Sequence, residues 1–203
     1  MIKDITYFGL FPILVYSSFL DRKITEEEKS LVLYFSKNAE KNTSNNVTKE
    51  HNVLNKKQFQ NIKNFIQENL QIYLKNIVCP KNNVDLYITE SWLNYNNKDE
   101  GHHTHYHDNS YLSGVFYFNT LSNDNIIFLK NKVETFNIET ENYNLYNSSD
   151  WKYPIKDNQL IIFPSYLRHE VKKNTENKTR ISLAFNIFLK GEISKINSTF
   201  LKI

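Results

Sequence analysis

Residues 84–96, VDLYITESWLNYN, open the half of the chain in which apolar side chains recur every second position. The same period governs SYLSGVFYFNT (110–120), NIIFLK (125–130), QLIIFP (159–164) and TRISLAFNIFLK (179–190), each bounded by polar turns. An alternation of two places successive side chains on opposite faces of a strand, so these runs are expected as β-strands. Before Pro80 the period is different. KKQFQNIKNFIQENLQIYLKNI (56–77) spaces Phe59, Ile62, Phe65, Ile66, Leu70, Tyr73, Leu74 and Ile77 by threes and fours, which predicts a long amphipathic helix. ITEEEKSLVLYFSKNAE (24–40) begins with Thr25 and Glu28 in a capping-box spacing and offers Leu31, Leu33, Tyr34 and Phe35 as a buried face. Two helices followed by a series of strands predict a mainly β protein with flanking helices, the helices packed on one side of a largely antiparallel sheet pair or barrel.

No repeat and no Pro- or Ser-rich linker divides the chain, so residues 1–203 are expected to form one domain, with helical support over about 24–77 and the barrel over about 84–190. Residues 41–55 lack an apolar period and read as a solvated loop, with His51 on the surface. The stretch 131–158 is Asn-rich and irregular, long enough to cover a site. YFGLFPILVYSSFL (7–20) is apolar but shorter than the roughly 20 residues that span a bilayer, and it has no basic flank or small-residue cleavage site. It is expected as a strand against the core of a soluble, cytoplasmic protein without membrane partners.

Composition narrows the class. Hydrophobic residues make up 40% of the chain, with 14 Phe and 13 Tyr against 4 Gly and 4 Pro, which describes a globular protein with a sizeable core. The formal charge of +3 comes from lysines scattered among acids, with no run of five or six like charges, so nucleic-acid binding is not indicated. The single cysteine, Cys79, excludes an intramolecular disulfide, fits a reducing compartment and reads as a partly buried thiol.

GHHTHYHDNS (101–110) holds four of the six histidines, His102, His103, His105 and His107. Clustered imidazoles suggest a metal. In an extended chain His103, His105 and His107 share one side, and His102, Tyr106 and Asp108 the other. A polar loop without a ligand, or adventitious zinc binding, is the plainer alternative. His169 follows an apolar run and a Pro-Ser turn, where a strand end could deliver a distant ligand to the same ion. Arg180 alternates with Ser182 inside an otherwise apolar strand. Pointing outward it is ordinary; pointing inward it needs a carboxylate or phosphate for its planar fork, and Ser182 on the same face could add a hydroxyl.

Taken in order, SWLNY (91–95), HYHDNSYLSGVFYFN (105–119) and LIIFPSYLRHEVKKNTENKTRISLAFN (160–186) resemble the 2-oxoglutarate and iron(II)-dependent oxygenases, in particular a family common in phages and marine bacteria. LFPILVY (10–16) is similar to that family's opening strand. The resemblance implies a double-stranded β-helix, a cupin-like jelly roll with one Fe(II) in its open end, in a protein that could be phage-encoded. It implies His105, His107 and His169 as the iron ligands on which catalysis depends. Arg180 and Ser182 would receive the far carboxylate of 2-oxoglutarate, Tyr117 would aim at the same group, and Asn94 and Asn186 would line the pocket. Better-known members carry HxD, so His107 replaces the expected aspartate; Asp108 and His103 are the alternative ligands. Asn158 stands where relatives carry Gly, a position that tolerates the left-handed conformation.

The implied activity is a dioxygenase that decarboxylates 2-oxoglutarate to succinate and hydroxylates a prime substrate, with O2 as the second co-substrate. Selectivity would lie in loops such as 131–158. The rival readings are a cupin-like all-histidine metalloenzyme independent of 2-oxoglutarate, a non-catalytic binding protein on the same barrel, and a zinc hydrolase using Glu170 or Asp108 as base, although no HExxH helix is present.

Overall fold

The computed structural model describes residues 5–130, 138–194 and 201–203. In chain order the elements are β1 (Tyr16–Phe19), α1 (Glu26–Lys37), β2 (Glu40–Lys41), β3 (Asn46–Val47), α2 (Gln60–Tyr73), β4 (Val84–Asn96), β5 (His102–His105) and β6 (Leu112–Asn119). Then follow β7 (Asn125–Leu129), β8 (Asp150–Pro154), β9 (Gln159–Pro164), β10 (His169–Val171), β11 (Arg180–Ser194) and β12 (Leu201–Lys202). Two antiparallel sheets result. The larger runs β1-β9-β6-β11-β4-β3-β2, with β12 also on β11; the smaller runs β5-β10-β7-β8. This is the mainly β, antiparallel sheet pair expected from the alternating runs and the jelly roll that the resemblance implies, and β4 and β9 have the bounds read from their period.

Helix α1 starts where the capping box put it. The Thr25 side chain accepts from Glu28 N at 3.2 Å, and the Glu28 carboxylate accepts from Thr25 N at 2.8 Å. Glu28 is buried because Arg22 grips both its oxygens at 2.6 and 2.8 Å. The buried face is Leu31, Val32 and Phe35; Leu33 and Tyr34 are exposed, correcting the face read from sequence. In α2 the apolar stripe buries Ile62, Ile66, Leu70 and Tyr73, while Ile77 lies beyond the helix and is 48% exposed. The helix ends in a wide turn over Leu74–Val78, closed by Cys79 in the left-handed region (φ 48°) before Pro80. The Cys79 thiol is exposed, not partly buried as expected.

Both helices pack on the outer face of the large sheet. On β11 the odd positions Leu183, Phe185 and Ile187 join Phe59, Ile62, Ile66 and Leu70 in one core cluster, and the even positions Arg180, Ser182, Ala184 and Asn186 face the other sheet. Gly114 lies opposite Phe185, whose ring covers it so closely that a Cβ there would meet ring carbon at 2.2 Å. Between the sheets a second cluster holds Tyr117, Ile126, Phe128, Ile161 and Phe163. Strand β4 carries a bulge: Asn186 pairs with Glu90 and Ile187 with Ile88, leaving Thr89 as the extra residue. The bulge reverses the parity of the strand. Leu86 and Ile88 before it, and Leu93 and Tyr95 after it, all reach the helices, while Trp92, Asn94 and Asn96 turn inward.

Three further expectations change. Only Tyr16–Phe19 of the N-terminal apolar run is a strand, whereas Tyr7, Phe8, Leu10, Phe11 and Ile13 are exposed. Phe11 has φ 55° and precedes Pro12, which supplies no N–H, so the extended run is broken there. Within 41–55, β2 and β3 form a short ladder that continues onto β4. Within 131–158, β8 pairs with β7; residues 131–137 of that stretch lie outside the described residues. Asn158 adopts the left-handed conformation (φ 64°) expected of it. Among the described residues no helix is long and apolar enough to cross a membrane.

Candidate active site and metal centre

A pocket opens between the sheets, and the histidines stand along one side of it. His105 ends β5, His169 begins β10, and the two pair directly across the small sheet. His107 lies in the turn after β5, where its backbone N–H donates to Ser165 O at 3.0 Å. One ligand nitrogen from each of His105, His107 and His169 can be chosen so that all three lie within 4.8 Å of one another. Small ring rotations bring such a set onto one ion bound at about 2.0–2.1 Å. His105 Nδ1 is 2.8 Å from His103 O and His169 Nδ1 is 2.9 Å from Leu167 O, so each Nδ1–H is held by a carbonyl and each Nε2 is left with its lone pair.

The electrostatics keep these rings neutral. Burial, reinforced by the neighbouring His105, lowers His107 to about 4. Burial and the surrounding imidazoles hold His169 well below its ordinary 6.5, and burial also lowers His105. Neutral imidazole is the form that binds a metal. Of the two alternative ligands, Asp108 is exposed and outside the cluster. His103 is exposed as well and contributes its carbonyl rather than its ring.

His102 corrects the two-residue reading of this strand. Val171 pairs with His102 and His169 with His105, so four residues of β5 span three of β10. This bulge brings His102 to the side of His105, with ring centroids 4.2 Å apart and planes 17° from parallel. His102 therefore lines the pocket, and burial lowers it to about 3. A strict alternation cannot reveal a bulge, which is why the sequence put His102 on the far side.

The opposite end of the pocket comes from the large sheet. Arg180, Ser182, Asn94 and Tyr117 all line it, as expected from sequence. Arg180 is 2% exposed, and its guanidinium carbon sits 5.2 Å from the Tyr117 ring centroid. The sequence reading missed its partner: Nε donates to Asp124 Oδ2 at 2.8 Å, in the turn between β6 and β7. Asp124 is itself fixed by the N–H groups of Asn125 (2.8 Å) and Leu121 (3.3 Å). An acid in a turn has no periodicity to betray it. With Nε occupied, the rest of the guanidinium lies against Tyr117, whose phenol it acts on. The buried Tyr117 hydroxyl has no partner among the described residues. Burial pushes that phenol up while Arg180 draws it down, so it remains a hydrogen-bond donor. Asn45 Nδ2, from the turn between β2 and β3, donates to Asn94 Oδ1 at 3.1 Å and so turns the Asn94 amide nitrogen away from itself. Polar groups this deep normally find partners. Here they form a donor set suited to a carboxylate.

Around His107, Trp92 stacks on the ring with centroids 5.9 Å apart, and the Asn186 side chain is near enough to favour its protonated form against the effect of burial. His51 lies outside this shell, exposed, with its ring 6.0 Å from Trp92.

Comparison with known proteins agrees with this geometry. Residues 90–186 match the family model described as "Putative 2OG-Fe(II) oxygenase". No curated protein matches the chain. Among solved structures, a prolyl hydroxylase from Trichoplax adhaerens, in complex with a hypoxia inducible factor peptide fragment, superposes with a TM-score of 0.59 at 15% identity, over 87% of this chain and 83% of that one. A Pseudomonas putida prolyl-4-hydroxylase gives 0.55 at 12% identity, over 87% and 94%. HygX from Streptomyces hygroscopicus, with nickel, 2-oxoglutarate and hygromycin B bound, gives 0.56 at 12% identity, over 86% and 82%. At these identities the structural likeness speaks for the fold, and the family match speaks for the segment that carries every pocket residue just described except Asn45.

Proposed function

We propose that this chain, whose residues 90–186 match the 2OG-Fe(II) oxygenase family model, is an Fe(II)- and 2-oxoglutarate-dependent dioxygenase that hydroxylates a prime substrate and converts 2-oxoglutarate to succinate. We read residues 1–203 as one domain serving this site. The observation that carries the proposal is a single pocket with neutral imidazoles at one end and a buried guanidinium beside the unpartnered Tyr117 hydroxyl at the other.

His105, His107 and His169 hold the metal, each through a ring nitrogen, and their three positions leave others open for co-substrates. Bound there, Fe(II) supplies the coordination and electrons that couple decarboxylation of the 2-oxo acid to oxygen insertion into a C–H bond, with O2 as oxidant. The terminal nitrogens of Arg180 bind the far carboxylate, and the hydroxyls of Tyr117 and Ser182 and the amide of Asn94 complete its hydrogen bonds. Asp124 keeps the guanidinium fork aimed into the pocket. Val115, Ile126, Phe163 and Ala184 line the wall between and keep water from the reacting atoms.

The test is an anaerobic titration of Fe(II)-loaded protein with 2-oxoglutarate, following the visible charge-transfer band of a chelated 2-oxo acid. A saturable band that His169→Ala abolishes and Arg180→Ala shifts to higher 2-oxoglutarate concentration supports the assignment. Iron bound without any band would instead favour an all-histidine site that does not use 2-oxoglutarate.

A further inference from the structure

A row of polar side chains crosses the large sheet directly behind His107. Asn186 of β11 pairs with Glu90 of β4 on one side and with Ser113 of β6 on the other. Asn186 Nδ2 donates to Glu90 Oε1 at 2.6 Å, and Ser113 Oγ donates to Asn186 Oδ1 at 3.3 Å. These two bonds fix the amide: its nitrogen faces the carboxylate, and its oxygen, with one lone pair turned to Ser113, keeps a second that can accept from the ring N–H of the neighbouring His107. Trp92 packs the same ring from its face. The β4 bulge at Thr89 brings Glu90 opposite Asn186, and the Thr89 hydroxyl donates to Asn186 O at 3.2 Å. The other group facing Glu90 is His51, whose Nδ1 lies 3.3 Å from Oε2.

We propose that Glu90, acting through the Asn186 amide, orients the His107 ring and sets a negative charge behind it, so that the site keeps at one remove the carboxylate it lacks among its ligands. Glu90 and Asn186 are positioning residues in this role, and the inference rests on His107 being a metal ligand. The physical reason is general. A ligating imidazole whose far N–H is held by an acceptor is fixed in tautomer and orientation, and it is a more basic ligand when that acceptor is itself polarised by an anion. With three neutral imidazoles, a bound divalent ion would keep its full charge in a half-closed pocket. An anion two hydrogen bonds away reduces the cost of that charge without occupying a coordination position.

The test is Co(II) titration of the metal-free full chain, read by the visible ligand-field absorption. Glu90→Gln keeps an oxygen to accept from Asn186 and removes only the charge. It is expected to weaken Co(II) binding by about 10- to 100-fold, the usual cost of losing an outer partner, and to shift the absorption, with the metal-free melting temperature unchanged. The double variant Glu90→Gln/Asn186→Asp moves the carboxylate one residue closer to His107, where the new amide at 90 can donate to it. It is expected to restore affinity to within a few-fold of the parent. Unchanged affinity and spectrum in Glu90→Gln overturn the proposal, and so does a loss that the double variant fails to repair, which assigns Glu90 to packing. His105→Ala separates the two levels: if the parent binds no Co(II), or His105→Ala binds it equally well, the metal-site reading itself fails.

Discussion

The two ends of the pocket are built in different ways. The carboxylate end stands on long strands of the large sheet, with Asn94, Tyr117, Arg180 and Ser182 on β4, β6 and β11, whose ladders run on past single bulges at Thr89 and Phe118. The histidine end stands on four residues of β5, three of β10 and a turn, with a bulge between them. Long strands place donors at fixed spacing, which suits a ligand of fixed length. Short strands and a turn let three rings converge on a point, which no uninterrupted alternation achieves. Position at one end comes from long ladders that absorb a bulge, and at the other from short strands and a turn.

Removing one imidazole breaks the histidine end outright. His169→Ala leaves two ligands and is expected to cut metal affinity by more than about 100-fold, beyond the cost of losing an outer partner, as read by equilibrium dialysis, and to abolish turnover. Arg180→Ala should leave metal affinity intact while raising the 2-oxoglutarate requirement. Loss of a buried charged partner costs about 2–5 kcal/mol, or roughly 30- to several-thousand-fold. It also strands buried Asp124, so the melting temperature should fall. Adding Asp124→Asn should recover stability and leave co-substrate binding weak, which separates the two roles of the guanidinium.

Titration sharpens the contrast. The pocket histidines titrate below their unfolded value of about 6.5, with His107 near 4 and His102 near 3. Below about pH 6.5 the unfolded chain takes up protons that the metal-free fold excludes, so stability should fall as pH drops toward 4. Denaturant titrations at several pH values check this. At pH 7 the three ligand rings, all lowered from the ordinary 6.5, are already neutral, so metal binding should release few protons from them, as calorimetry in buffers of different ionisation enthalpy would show. The smallest effect is expected from Asn45→Ala. It removes one hydrogen bond worth about 1 kcal/mol, and thus about 5-fold in 2-oxoglutarate affinity, without moving metal affinity.

The same division decides what the sequence discloses. Strands β4 and β9 are legible to the residue, and parity puts Arg180 and Ser182 on one face without saying whether that face is turned inward. The capping box marks the start of α1. By contrast, His102 is misplaced by one bulge, and Asp124 and Glu90 have no spacing that announces them. Asp124 lies in a turn, and Glu90 joins the pocket face only because Thr89 shifts the strand. The proposed histidine ligands rest on resemblance as well as on clustering, since residue type alone does not choose among His103, His107 and Asp108. The exposed face of α1 and the broken N-terminal run show that apolar content does not imply burial when backbone geometry opposes it.

The proposed ligands belong to opposite halves of a sandwich. Arg180, Ser182, Tyr117 and Asn94 come from the large sheet, and His105 and His169 from strands of the small one. A small molecule gripped at both ends therefore acts as a strut between layers. Its concentration should control the amide hydrogen exchange of β5 and β10, whose few residues have little else to hold them, while β4 and β11 hardly respond.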